Sequence, residues 1–191
     1  INLAATWDKD MSLLYGRSIG EEARYRKKDI LLGPGINICR TPLNGRNFEY
    51  MGEDPYLAGQ MVVPYVKGVQ ENGVAACVKH FAAYGVPQAG RDYHTVDMSE
   101  LMFRNRYLPP YKAALEAGAV TVMSSFNDFM GVPASGNKWL LHDLLREELG
   151  FKGFVVSDYN AVHEMIKHGT AADGKDAACQ AMNAHLNMDM V

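Results

Sequence analysis

Asp158 stands near the end of Gly153-Phe154-Val155-Val156-Ser157-Asp158-Tyr159, an apolar and β-branched run that breaks into a Ser-Asp-aromatic terminus. Such a run reads as a buried parallel strand whose last residues reach a site at the carboxyl edge of a sheet. A carboxylate placed there can serve as a nucleophile, a metal ligand or the N-cap of the helix expected from Asn160 to Lys167. What the other segment ends offer decides among these. Val74 to Phe81 closes with Lys79 and His80, Ala119 to Phe126 is followed by Asn127 and Asp128, and the aperiodic stretch Cys39 to Pro55 carries Arg40 and Arg46. Cations and an imidazole beside one carboxylate suit a neutral polyhydroxylated ligand. They donate hydrogen bonds to hydroxyls and favour the ionised form of Asp158 near neutral pH.

Bringing these groups to one rim requires strands whose carboxyl ends meet. Ile1 to Thr6 reads as a strand or loop, and Lys9 to Lys28 as a helix capped by Asp8. Leu31 to Ile38 is a strand candidate interrupted by Gly33-Pro34-Gly35. Pro55 opens a helix to about Asn72, stopped by Gly73. Ser99 caps a helix that must end or kink near Leu108, before Pro109-Pro110. Asn137 to Glu148 carries an apolar stripe of leucines; Ala161 to His168 and Lys175 to Ala184 read as short helices, and Asn187 to Val191 as a further strand. Strand and helix alternate every roughly 35 to 45 residues, the pattern of parallel βαβ crossovers. The expected fold is α/β, part of a (β/α)8 TIM-like barrel with parallel strands, incomplete at both ends, whose strand ends form one mouth. A doubly wound open sheet is the alternative, without a Gly-x-Gly-x-x-Gly turn in its favour.

Composition narrows the partners. The 191 residues are 48% hydrophobic and 21% charged with a net charge of -3, an ordinary globular balance without the basic footprint of a nucleic-acid or membrane-surface binder. The three cysteines, Cys39, Cys77 and Cys179, lack C-x-x-C spacing and read as small core hydrophobes. No apolar run approaches the roughly 20 residues of a membrane helix.

The runs LGPGINICRTPLNGRNFEYMGEDPYLAG (Leu32 to Gly59), VKHFAAYG (Val78 to Gly85), GRDYHTVDMSE (Gly90 to Glu100), VMSSFN (Val122 to Asn127), GFVVSDY (Gly153 to Tyr159) and IKHGTAAD (Ile166 to Asp173) resemble glycoside hydrolase family 3, periplasmic β-glucosidase type, over essentially the whole chain. The resemblance implies that residues 1–191 are a portion of that family's N-terminal (β/α)8-type catalytic domain, with a C-terminal α/β-sandwich domain and the first barrel strands lying outside them. It implies a retaining exo-acting β-glycosidase that releases terminal β-D-glucosyl residues through a covalent glycosyl-Asp intermediate. Asp158 matches the catalytic nucleophile. Arg46, Lys79 and His80 match residues that bind the hydroxyls of the innermost sugar, Met123 lines that subsite, and Tyr159 stands in place of the usual Trp as a smaller aromatic wall. Phe126 stands where many members carry Tyr.

The same resemblance implies small β-glucosides or oligosaccharides as partners, no nucleic acid, no membrane, no metal or organic cofactor and a periplasmic or secreted location; a homodimer is left open. The general acid/base is expected from a Glu outside these residues. In one branch of the family an Asp-x-His dyad takes that role, and Asp92 and His94 have its spacing, but the segment after Lys79-His80 departs from that branch, so a loop-ordering role is favoured. The alternatives are a β-xylosidase or N-acetyl-β-glucosaminidase of the same family, or a non-catalytic sugar-binding barrel.

Overall fold

The computed structural model describes residues 1–191. Ile1 to Thr6, expected as a strand or loop, forms instead the short helix α1 (Asn2–Ala5), whose Leu and Ala residues favour helix and which packs on its two helical neighbours. These are α2 (Lys9–Tyr25), capped by the Asp8 carboxylate on Asp10 N and Met11 N, and α3 (Pro55–Gln70), capped by Asp54 on Tyr56 N and Leu57 N. Between them β1 is only Ile30–Leu31, because Gly33-Pro34-Gly35 breaks the ladder and an isolated bridge from Gly35 to Lys79 is all that continues it. β2 (Ala75–Phe81) leads through the Ser99-capped α4 (Glu100–Met102) into a π-wound turn, Phe103–Tyr107, and then α5 (Pro109–Glu116). β3 is Thr121–Ser124.

The next element has no strand pattern in the sequence. β4 (Asp128–Phe129) and β5 (Val132–Pro133) form a small antiparallel hairpin. Its two-residue turn, Met130-Gly131, has both φ angles positive, at 52° and 81°. That is the backbone of a type I′ turn, which a Met-Gly pair does not advertise as Asn-Gly would. The π-wound helix Trp139–Glu148 follows, burying Leu140, Leu141, Leu144 and Leu145, and then β6 (Phe154–Tyr159), α6 (Ala161–Glu164), α7 (Gly174–Asn183) and β7 (Met188–Met190).

Five strands lie in the order β1-β2-β3-β6-β7, every neighbouring pair parallel, in a sheet curled into a half-barrel. Ala76, Val78, Val122 and Val155 face the helices and join the main core with Val62, Val66 and Val69 of α3. Each of those α3 valines contributes on the order of 1.5–3 kcal/mol by burial. Cys77, Met123 and Val156 form a separate cluster on the opposite, concave face. Side chains two residues apart on a strand share a face, so Lys79 and Asp158 stand one step above Cys77 and Val156 on that face.

The helical layer depends on close backbone approach. A Cβ on Gly68 would lie 2.5 Å from Leu13 O and 2.7 Å from Arg17 N, so α2 and α3 touch where only glycine fits. Ser12 Oγ locks the contact by donating to Met61 O at 2.7 Å.

Candidate active site

The loop after β1 brings Arg46 to the mouth. Asn44 Oδ1 accepts Arg46 N–H at 3.0 Å while its amide donates to Tyr84 O at 3.2 Å, and Asn47 Nδ2 donates to Thr41 O at 2.7 Å. These side-chain bonds to backbone replace regular structure in a stretch without periodicity. A single 3₁₀ turn, Asn47–Glu49, then presents Glu49 beside Arg46.

Consecutive strand residues point to opposite faces, so Lys79 and His80 could share one site only if the end of β2 were irregular. It is irregular. Val78 pairs with Val122 but Phe81 with Ser124, so three steps on β2 span two on β3 and a bulge falls at Lys79 and His80. Lys79 Nζ thereby lies 3.4 Å from Glu49 Oε2, and His80 Nε2 lies 3.3 Å from Asp158 Oδ2.

His80 is fully buried and braced on every polar atom. Its N–H donates to Asn37 Oδ1 at 2.7 Å, and its carbonyl accepts from Asn37 Nδ2 at 2.9 Å and from the Tyr111 hydroxyl. Arg46 Nη2 is 3.0 Å from Nε2. A guanidinium can only donate, so Nε2 accepts and the ring proton sits on Nδ1, facing Asn37 Oδ1 and the Tyr50 oxygen, each at 3.3 Å. Burial, followed by the charges of Arg46 and Lys79, pushes the His80 pKa well below its ordinary value, in keeping with a neutral imidazole.

That tautomer leaves Asp158 asymmetric. Oδ1 accepts the Tyr159 N–H at 2.8 Å, whereas Oδ2 is buried without a hydrogen-bond donor. Arg46 Nη1 stands 3.9 Å from Oδ2. The expectation that the cations would govern this carboxyl needs correction. Burial raises its pKa above the ordinary value, and the Tyr159 N–H, Arg46 and Lys79 only offset that rise. Asp158 does not cap α6 either, since Asn160, with φ at 59°, holds the N-cap position.

Glu49 ties the cations together, accepting Arg46 Nε at 2.6 Å and pairing with Lys79. Pairing with Glu49 does not take Arg46 out of the site, since the same guanidinium also reaches His80 and faces Asp158. Met123, registered opposite Val156, lies one layer below Asp158 on the concave face. Tyr159 is 63% exposed at the strand end.

Other expected rim residues do not join. Arg40 donates to the Tyr107 hydroxyl at 3.2 Å, away from this cluster. Asn127 is buried and bonded to backbone, and the hairpin takes Asp128 out of the mouth by pairing it with Pro133. Asp92 accepts from the Tyr84 hydroxyl, while His94 N–H is bonded to Arg91 O. The residues that sequence reasoning missed are the braces Asn37, Tyr50, Tyr84 and Tyr111. Tyr84 lies four residues beyond His80, but its residue type does not mark it as a brace. No group of three or more His, Cys, Asp or Glu side chains is arranged to hold a metal ion.

The chain as a whole is similar to known proteins. The sequence profile of the Glycosyl hydrolase family 3 N terminal domain matches residues 1–191. A relative from Bacteroides ovatus named Beta-glucosidase BoGH3A is 52% identical over 163 residues, which is 85% of this chain and 22% of that protein. The Periplasmic beta-glucosidase of Salmonella typhimurium is 43% identical over 196 residues, covering 100% of this chain and 26% of its own length. The crystal structure of a β-glucosidase from Listeria innocua in complex with glucose superposes with a TM-score of 0.97 at 39% identity, over 99% of this chain and 28% of that one. The chain thus spans about a quarter of the length of the relatives it matches.

Proposed function

The chain belongs to glycosyl hydrolase family 3, and from that membership we propose that its protein is a retaining, exo-acting β-glycosidase that removes terminal β-D-glucosyl residues from small β-glucosides or oligosaccharides. Asp158 Oδ2 attacks the anomeric carbon while Tyr159 N–H holds Oδ1; the glycosidic C–O bond breaks and the aglycone leaves as the acid protonates its oxygen, and water then attacks the glycosyl-Asp intermediate, releasing the sugar and the Asp158 carboxylate. Arg46, Lys79 and His80 bind hydroxyls of the sugar, Met123 floors the subsite and Tyr159 forms part of its wall. The family resemblance implies that the acid/base is a Glu outside residues 1–191; within them Glu49 is engaged by Arg46 and Lys79. A periplasmic or secreted location is part of the same proposal, supported by the relative named as periplasmic.

One observation carries the reading: a buried carboxylate oxygen without a donor, at the carboxyl end of a parallel sheet, facing an arginine and a neutral histidine. A nucleophile needs an available lone pair; Glu164 Oε2 is likewise buried without a partner, so it is the placement of Asp158 at the strand end, against Arg46 and His80, that supports the role. The test is labelling of the protein at its full encoded length with 2-deoxy-2-fluoro-β-glucosyl fluoride, followed by peptide mass mapping. Fluoride departs without protonation, so the nucleophile is tested apart from the acid. A fluoroglucosyl mass on the peptide containing Asp158 is expected. A label on another carboxylate, or none on folded protein that binds glucose, overturns the assignment.

A further inference from the structure

Beneath Arg46 lies a device that the proposed chemistry does not use. The Tyr84 ring is fully buried and touches three members of the site's support: the Arg46 guanidinium lies over its face at 5.3 Å, the His80 ring meets it edge-on at 5.3 Å, and Phe126 packs at 5.8 Å. Its hydroxyl is held from two sides. Tyr93 N–H donates to it at 3.2 Å, and it donates in turn to Asp92 Oδ1. With one acceptor site taken by the Tyr93 amide, the Tyr84 proton has a single direction, towards Asp92.

We propose that Asp92 is a positioning residue: by anchoring the Tyr84 hydroxyl it fixes the ring platform that sets Arg46 and His80 against Asp158. The inference rests on the glycosidase reading for its consequence in catalysis, though not for its geometry. Asp92 is exposed and lies in the loop Gln88 to Val96, which has left-handed backbone at Ala89, Gly90 and Tyr93. Gly90 is required there, because a Cβ would meet the backbone of Leu43 in the Arg46 loop. Asp92 therefore links the loop after β2 to the loop after β1 through one aromatic ring. The opposing possibility, that Asp92 itself is an acid/base partnered by His94, has no support in contacts, since Asp92 is engaged by Tyr84.

A double-mutant cycle tests this in the protein at its full encoded length, with an aryl β-glucoside as substrate. Asp92→Ala and Tyr84→Phe each lower kcat/KM about tenfold, mostly through KM, because misplacing a binding group by a fraction of an ångström is enough. The double variant also loses about tenfold, not the roughly hundredfold product, if Asp92 acts through the hydroxyl. Additive losses overturn the proposal. So does a kcat loss of about a thousandfold or more in Asp92→Ala that azide rescues, which would identify an acid/base. A crystal structure of each single variant gives a readout independent of turnover: the 3.0 Å Arg46–His80 contact opens if the proposal holds. Should the wild type hydrolyse nothing, the glycosidase reading falls, while Arg46 unmoved in either variant still overturns the role of Asp92. If Asp92→Ala does not fold, Tyr84→Phe, which removes only an oxygen, carries the structural arm.

Discussion

Replacing Glu49 with Gln isolates what the anionic bridge contributes. The side chain keeps its shape and one acceptor oxygen but loses the charge that faces Arg46 Nε at 2.6 Å and Lys79 Nζ at 3.4 Å. Hydrogen bonds to charged groups contribute about 1.5–3 kcal/mol each, and residual exposure of 18–24% screens these two towards the lower end. Retaining one neutral bond leaves a net loss of about 2 kcal/mol in holding the cations, or about 30-fold in kcat/KM if that order serves the transition state. A second readout has a determined sign. Burial raises the Asp158 pKa; the Tyr159 N–H, Arg46 and Lys79 lower it; and Glu49 raises it again. Removing the Glu49 charge therefore lowers the Asp158 pKa, so the acidic limb of the kcat/KM profile moves to lower pH even as the plateau falls. Steady-state kinetics on an aryl β-glucoside between pH 4 and 8 measure both. Glu53→Gln, in the same loop but outside the cluster, is the control and stays within about threefold of wild type, as surface substitutions do. A Glu49→Gln variant within twofold of wild type, or an acidic limb moved upward, refutes the reasoning.

Three further outcomes follow from the same geometry. Asp158→Asn abolishes turnover by at least about 10⁴-fold yet raises the denaturation midpoint by the equivalent of about 1 kcal/mol, because a buried ionised oxygen without a donor is removed; a fall in the midpoint in urea contradicts this. His80 has a folded pKa well below 6.5, so on acidification below 6.5 the unfolded chain takes up the proton first and stability declines. His80→Gln flattens that slope, as unfolding free energies at pH 7 and pH 5.5 record, and an unchanged slope would assign the loss elsewhere. Gly68→Ala drives a methyl into Leu13 O and Arg17 N and costs about 3 kcal/mol, whereas Gly174→Ala, with open space at its Cβ, costs under about 1 kcal/mol by the same assay.

Much of the scaffold was legible because burial leaves a periodic trace. Val74 to Phe81 and Phe151 to Asp158 read as buried strands from continuous apolar residues, and the Asp8, Ser99 and Pro55 signals marked helix starts to within a residue. The Met130-Gly131 hairpin was hidden because Met, unlike Asn, carries no residue-type signal for the positive φ that it adopts there. The identities of Arg46, Lys79, His80 and Asp158 could be picked out as candidates, but their convergence could not be derived. It depends on a one-residue bulge between Val78 and Phe81, and a bulge has no composition of its own. The braces around His80 were least visible. Asn37, Tyr50, Tyr84 and Tyr111 come from four separate stretches, and each alone is an ordinary core or loop residue. Their joint effect, however, is what a nucleophile's surroundings require. The backbone N–H, the carbonyl and Nδ1 of His80 are satisfied from behind, which leaves its Nε2 to Arg46 and Asp158 Oδ2 without a donor. A looser cradle would let the ring rotate, donate to Asp158 and quench the very lone pair that the site exposes.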